Sequence, residues 1–333
     1  MALAVSPCSL PSKKALKVKA TQMNKPLPLN VALIFPGQGA QKVGMGLEFY
    51  QSSAAARSLF DQADQICPGL TQVMFEGPEE KLTSTAFCQP AILTMSIAAL
   101  KAFEAYEKYK NINVKMTAGL SLGEYSALVA SGTINFTDAL RLVQQRAAFM
   151  EEAARENQGA MAAVIDFDQI KLLEICQETG IQIANFNSNN QVVITGLKAN
   201  IDQAVEAIKL AGGQKVVPLM VSGGFHSSLM ATAAAKFAVV LNDTAITPSA
   251  IAVLSNVNAQ PHLDVIAIRL NLARQITDSV QWVKCVEYIA GQGITDCIEI
   301  GPNRILKGLI RRINPALNVM NIEKPSDLEA LSF

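Results

Sequence analysis

Histidine is scarce in this chain, net charge is absent, and cysteines never pair up in the sequence; each shortage removes a class of function. Only two histidines occur among 333 residues, so any chemistry that needs an imidazole has at most two sources for it. The 28 Lys and Arg balance 28 Asp and Glu, and no basic cluster is interleaved with aromatics, so nucleic acid is not an expected partner. Six cysteines (Cys8, Cys67, Cys88, Cys176, Cys285 and Cys297) lie scattered, without a C-x-x-C pair and without a neighbouring histidine. That spacing supports neither a metal site nor a disulfide framework; reduced and mostly buried thiols are expected. No apolar run is read as approaching the roughly 20 residues that span a bilayer, and no membrane span is expected. Hydrophobic residues make up 50% of the chain and charged ones 17%, enough to bury one large domain or two smaller ones.

Acidic residues are missing altogether from Met1 to Leu47, where Lys13, Lys14, Lys17, Lys19 and Lys25 stand among Ser, Pro and Ala. A basic, acid-free, serine-containing leader over residues 1–29 has the composition of an organelle transit peptide. It has no arginine and no secretory apolar core, which favours a plastid (chloroplast stroma) destination over mitochondrion or secretion. The alternatives are an untargeted tail on a cytoplasmic protein and a mitochondrial destination. The folded part is expected to begin near Asn30, with Val31 to Phe35 as a buried strand.

The most informative segment is Gly119-Leu120-Ser121-Leu122-Gly123-Glu124, between the strand-like run Val114 to Ala118 and the helical stretch Tyr125 to Ala130. Strand, sharp turn and helix are the context in which G-x-S-x-G becomes a nucleophile elbow. The turn lifts the Ser121 hydroxyl clear of the sheet and sets it at the positive end of a helix, where a developing oxyanion is stabilised. An ordinary glycine-rich turn is the bland alternative. A nucleophilic serine needs a base, and the choice lies between His262, behind Pro261 in a polar turn, and His226. His226 sits in Ser222-Gly223-Gly224-Phe225-His226-Ser227-Ser228, where a flexible stretch leads into an apolar helix running to about Leu241, with Ser227 or Ser228 as its cap. His226 is the better candidate.

Between these two segments lies a second unit. A strand over Gly159 to Asp166 precedes a helix from Asp168 to about Glu178; strands at Ile181–Asn185 and Gln191–Thr195 flank a turn over Asn187–Asn190. A helix from Asn200 to Leu210 and a strand over Lys215–Leu219 complete a βαββαβ order, the split, ferredoxin-like arrangement. Residues 156–220 are therefore expected to form a small subdomain inserted into an α/β body made of residues 30–155 and 221–333, with a ligand cleft between the two.

Taken together, the motifs make the chain resemble the malonyl-CoA:acyl-carrier-protein transacylase family from Val31 to about Leu331. They are Phe35-Pro36-Gly37-Gln38-Gly39-Ala40-Gln41, the elbow through Tyr125, Gln145-Arg146 leading to Met150, Asn185-Phe186-Asn187-Ser188, Phe225-His226-Ser227, Val280-Gln281-Trp282 and Glu299-Ile300-Gly301-Pro302. Two positions depart from the family pattern: Leu120 stands where histidine is frequent, and Ala147 where glycine is frequent; neither removes a reacting group. The resemblance implies an α/β fold, a hydrolase-like core with a parallel sheet plus the inserted ferredoxin-like subdomain. It implies Ser121 as nucleophile, His226 as base, and the backbone N–H groups of Gln38 and Leu122 as oxyanion hole. A backbone carbonyl near Gln275 would orient the imidazole, Asp278 being the acidic rival for that task. Arg146 flanks the apolar stripe Leu140, Val143, Ala147 and Met150 and is expected to be at least partly buried, where a guanidinium without an anion is costly. The resemblance supplies that anion, the malonyl carboxylate, gripped bidentately. The implied partners are malonyl-CoA and acyl carrier protein, with a monomeric enzyme and neither metal nor cofactor beyond the thioester. A malonyl-loading enzyme of a polyketide pathway, a serine thioesterase or hydrolase, and a carrier-protein-binding scaffold without activity are the competing readings.

Overall fold

The computed structural model describes residues 27–333. Most of the expected leader, residues 1–29, thus lies outside the described residues. The described strands are β1 (Leu29–Phe35), β2 (Ile112–Gly119), β3 (Gly159–Ile165), β4 (Gln182–Ser188), β5 (Gln191–Leu197), β6 (Lys215–Pro218), β7 (Ala252–Val253), β8 (Asp296–Ile300) and β9 (Asn318–Ile322). They form two sheets.

The larger sheet has the order β7-β2-β1-β8-β9, and every neighbouring pair is parallel. Its central strand, β1, is buried from Val31 to Phe35, and a strand covered on both faces needs no polar alternation. Phe35 pairs with Gly119, so β1 and β2 end side by side. The loop after β1, with Gln38, and the elbow after β2, with Ser121, therefore leave the same edge of the sheet. That is the carboxyl end of the strands, where open α/β sheets bind ligands.

Seven further elements matter for the site: helices α1 (Thr85–Glu104), α2 (Gly123–Ala130), α3 (Phe136–Glu156), α4 (Gln169–Thr179), α5 (Lys198–Leu210), α6 (Ala231–Asp243) and α7 (Val265–Arg274). Helix α1 corrects the expectation about long apolar stretches, because its 20 residues are long and apolar enough to cross a membrane. The physical reason is its place in the fold. It packs against α2, α3 and the small helices between residues 54 and 83, so nearly its whole circumference is buried inside the protein and apolar residues occupy every side.

The second sheet, β4-β5-β3-β6, is antiparallel throughout, and α4 and α5 pack against each other over it. Ala162, Val164, Leu172, Ile194, Ile201 and Ile208 form a core of its own. This is the ferredoxin-like βαββαβ unit, and with the parallel sheet it gives the expected fold class. The turn after β4 is tighter than the sequence suggests, with both strands reaching Ser188 and Gln191. Asp166 holds it: its N–H donates to the Asn190 carbonyl at 2.8 Å, and its Oδ1 accepts from Asn190 Nδ2 at 2.7 Å. A seam joins the two units at β4, where Val280 N–H donates to the Ala184 carbonyl at 2.8 Å and Phe186 N–H to the Val280 carbonyl at 2.9 Å.

Candidate active site

Ser121 stands at the end of β2 with φ 51°, a left-handed conformation that costs a residue with a side chain about 1–3 kcal/mol and persists only where the surroundings enforce it. They do so on both sides of the peptide. Ser121 N–H donates to Asn256 Oδ1 at 2.6 Å, and the Ser121 carbonyl accepts from Gln275 Nε2 at 3.0 Å and from Glu124 N–H at 3.1 Å. At Gly123 a methyl group would lie 2.1 Å from the Phe35 carbonyl oxygen, so the elbow can fold down on β1 only with glycine there. The outcome is a hydroxyl raised over the sheet edge, its Oγ 2.8 Å from His226 Nε2.

His226, also left-handed at φ 56°, precedes the single turn Ser228–Met230 that leads into α6, and Ser227 caps that turn. Its Nδ1 lies 2.7 Å from the Gln275 carbonyl, an acceptor only, so Nδ1 carries the hydrogen and Nε2 is left to accept from Ser121. Burial, reinforced by the nearby Arg146 cation, lowers the His226 pKa to about 4 and keeps the ring neutral at physiological pH. The rival orienter, Asp278, has its carboxylate engaged by Arg274 at 2.7 Å and by the Thr277 hydroxyl at 3.0 Å. The other histidine, His262, has its ring nitrogens on other partners: Nε2 meets Glu124 Oε1 at 2.9 Å and Nδ1 meets Asn271 Nδ2 at 3.3 Å.

Arg146 comes from the middle of α3 and is 1% exposed, in line with the expectation that it is at least partly buried. Its Nη1 donates to Gln89 Oε1 at 2.7 Å, and its Nη2 to Gln275 Oε1 and to Ser121 Oγ, both at 3.2 Å. All three partners are neutral, and burial lowers the guanidinium's pKa from its ordinary value. The Tyr125 ring, 5.5 Å from the guanidinium carbon, covers one side of it. Gln38 and Leu122 line the same cleft, a cavity of about 130 Å³ shared with Asn185, Asn187 and Met161 of the small subdomain. Among the described residues neither Gln38 N–H nor Leu122 N–H has an acceptor in the fold, which leaves both free to meet an oxygen of a bound acyl group.

Ser121, His226, Gln38, Leu122 and Arg146 thus line one cleft, and Gln275 adjoins it through its bonds to Arg146 and His226, whereas the rivals His262 and Asp278 are engaged elsewhere. Asn256, Glu124 and Gln89 were not read as part of it. Asn256 lies in a turn that looks merely polar, and Gln89 in a helix that shows no polar face. Glu124 offers the one usable sign, a charged residue in the first turn of an otherwise apolar helix.

A serine on a strand-to-helix elbow bonded to a histidine, in a cleft also lined by two residues whose backbone N–H groups are unengaged, defines a serine-dependent acyl-transfer or hydrolytic enzyme. The acyl transferase domain family matches residues 32–311. The malonyl CoA-acyl carrier protein transacylase of Bacillus subtilis is 40% identical over 305 residues, covering 90% of this chain and 95% of that protein. Among solved structures, the acyl-carrier-protein-S-malonyltransferase from Bartonella henselae superposes with a TM-score of 0.86 at 36% identity, over 91% of this chain and 98% of its own. A malonyl-transacylase solved in complex with its type II PKS acyl-carrier protein gives 0.86 at 36% identity, over 90% and 98%. The chain belongs to the malonyl-CoA:acyl-carrier-protein transacylase family of acyl transferases.

The His226 environment fixes a pH dependence. Protonation on lowering the pH removes the acceptor for the Ser121 proton, so reactivity falls as pH drops through the His226 pKa, near 4 rather than near 6.5. Measured as the rate of Ser121 modification by a sulfonyl fluoride, the acid limb should lie well below pH 6 and should move up in Arg146→Ala, which removes the neighbouring cation. A wild-type limb near 6.5, or one unmoved by Arg146→Ala, contradicts this electrostatic picture.

Proposed function

We propose that this protein transfers the malonyl group of malonyl-CoA to the phosphopantetheine thiol of acyl carrier protein through a malonyl-Ser121 intermediate, supplying type II fatty acid synthesis. One observation supports it above the others: a fully buried guanidinium, bonded only to neutral groups, 3.2 Å from the Ser121 hydroxyl. Such a group calls for an anion on the acyl portion of the substrate, close to the reacting carbonyl, and the free carboxylate of a malonyl thioester is that anion. A simple hydrolase has no use for it.

The transfer runs in two halves. His226 Nε2 takes the Ser121 proton as Oγ attacks the thioester carbon, and the Gln38 and Leu122 N–H groups receive the oxyanion. The C–S bond breaks, and coenzyme A leaves as its thiol with the proton from His226. The carrier's thiol then gives its proton to His226 and attacks the malonyl ester; Ser121 leaves and recovers its proton. These steps call on no metal or redox group, and we take the enzyme to act as a monomer with acyl carrier protein as its protein partner. Loading of a polyketide carrier protein uses the same chemistry, and the likeness to a malonyl-transacylase solved with a type II PKS carrier supports that second reading.

For the leader we propose plastid import, on its acid-free, lysine-rich composition. A fluorescent reporter carrying residues 1–30 should enter chloroplasts and be shortened near Ala20 to Lys25. A reporter that stays in the cytosol overturns the destination and leaves the chemistry untouched.

Selectivity tests the function. Removing one partner of a desolvated charge pair costs about 2–5 kcal/mol, and about 1.4 kcal/mol is tenfold. Arg146→Ala should therefore lose roughly 30-fold to several thousand-fold in kcat/KM for malonyl-CoA. Acetyl-CoA, with no carboxylate to pair, should be handled no worse, and Arg146→Lys should recover only part of the loss. Transfer from both donors to carrier protein is the measurement, and an equal loss for the two would show that Arg146 is structural.

A further inference from the structure

Glu124 lies behind the elbow with no exposed surface, and the transfer just described gives it no task. A buried carboxyl group is tolerated only when donors surround it, and three do. Gln275 Nε2 donates to its Oε2 at 2.6 Å, Asn256 N–H to the same oxygen at 3.0 Å, and His262 Nε2 meets Oε1 at 2.9 Å. Two of those three residues are the ones that hold Ser121. Asn256 Oδ1 accepts from Ser121 N–H, and Asn256 Nδ2 also donates to the Gly119 carbonyl at 2.7 Å; Gln275 Nε2 donates to the Ser121 carbonyl.

Gln275 is where the network branches. Its amide has acceptors, Glu124 Oε2 and the Ser121 carbonyl, at one end and a donor, Arg146 Nη2, at the other, so only one orientation satisfies all three. Its backbone carbonyl sets the His226 tautomer. His262 closes the arrangement: its Nδ1 faces Asn271 Nδ2 at 3.3 Å, and the Asn271 carbonyl accepts from Gln275 N–H at 2.7 Å.

We propose that Glu124, locked in place by His262, is a positioning residue of the transfer: through Asn256 and Gln275 it holds the left-handed Ser121 and the carbonyl that orients His226. The proposal rests on the reading that Ser121 and His226 carry the acyl group. It assigns an acidic residue to the site at one remove from the imidazole, where a serine hydrolase places its acid in direct contact.

The test uses the full chain and its two histidines, whose ring nitrogens give few, assignable signals after 15N-histidine labelling. Wild type should show His226 as one tautomer with the hydrogen on Nδ1. Glu124→Gln, which keeps the shape but replaces one acceptor by a donor, should lower kcat by about 10²-fold, the effect of an ångström-scale misplacement of reacting groups. It should also move the His226 nitrogens towards a mixture of tautomers. Should Glu124→Gln fail to fold, two variants at the other end of the pair decide the matter. His262→Gln, which can still donate to Glu124, should retain most of the activity, whereas His262→Leu should lose kcat and shift the His226 signals. Folded Glu124→Gln or His262→Leu protein with unchanged His226 nitrogens overturns the proposal, whatever its kcat, and leaves the pair as a packing feature of the core. Failure of the wild type to transfer malonyl would strike the function instead, and the histidine spectra would still test the clamp.

Discussion

The site depends on two backbone loops crossing at less than side-chain distance over the end of β1. Leu120 N–H donates to the Phe35 carbonyl at 3.1 Å, a methyl at Gly37 would lie 2.3 Å from the Leu120 oxygen, and one at Gly123 would lie 2.1 Å from the Phe35 oxygen. No side chain fits between them. Because the loops are pressed together, Gln38 and Leu122 line the same side of the cleft as Ser121, and the strain at Ser121 is enforced by its neighbours. Parallel pairing of β1 with β2 brings the loops together in the first place.

Electrostatics complete what the backbone begins. Arg146 is held by neutral oxygens, so the cleft keeps a desolvated cation next to the nucleophile. The same cation helps hold the His226 pKa near 4, which leaves the ring neutral and able to accept a proton. An anion paired with Arg146 relieves part of that repulsion and makes His226 a stronger base at the moment when substrate is present. On the proposed reading, in which that anion is the malonyl carboxylate, binding of the acyl group and activation of the serine are linked through a single guanidinium.

Local pattern made much of this legible in the sequence. The elbow could be read because strand, glycine-framed serine and helix are contiguous, and the inserted subdomain because its strands and helices alternate within 60 residues, Gly159–Pro218. Burial was harder. Arg146 flanks an apolar stripe, which suggests partial burial, but its complete enclosure depends on α1 and Tyr125, distant in sequence or on another helix. Helix α1 itself, with Gln89, Pro90 and several hydroxyls among its apolar residues, does not look like a continuous apolar run, although it is buried almost throughout. The Glu124–Asn256–His262–Gln275 network was invisible because its members come from three separate segments and meet only when the parallel sheet is assembled. His262 in particular carries the signature of an ordinary turn residue, and only the fold brings it to Glu124.

The central claim, a malonyl ester on Ser121, is tested most directly by intact-protein mass spectrometry after brief exposure to malonyl-CoA, with peptide mapping of the adduct. The account predicts a mass gain equal to one malonyl group, located on Ser121, absent from Ser121→Ala and discharged when carrier protein bearing phosphopantetheine is added. An adduct that persists in Ser121→Ala, or no adduct in a wild type that still transfers malonyl, would contradict it.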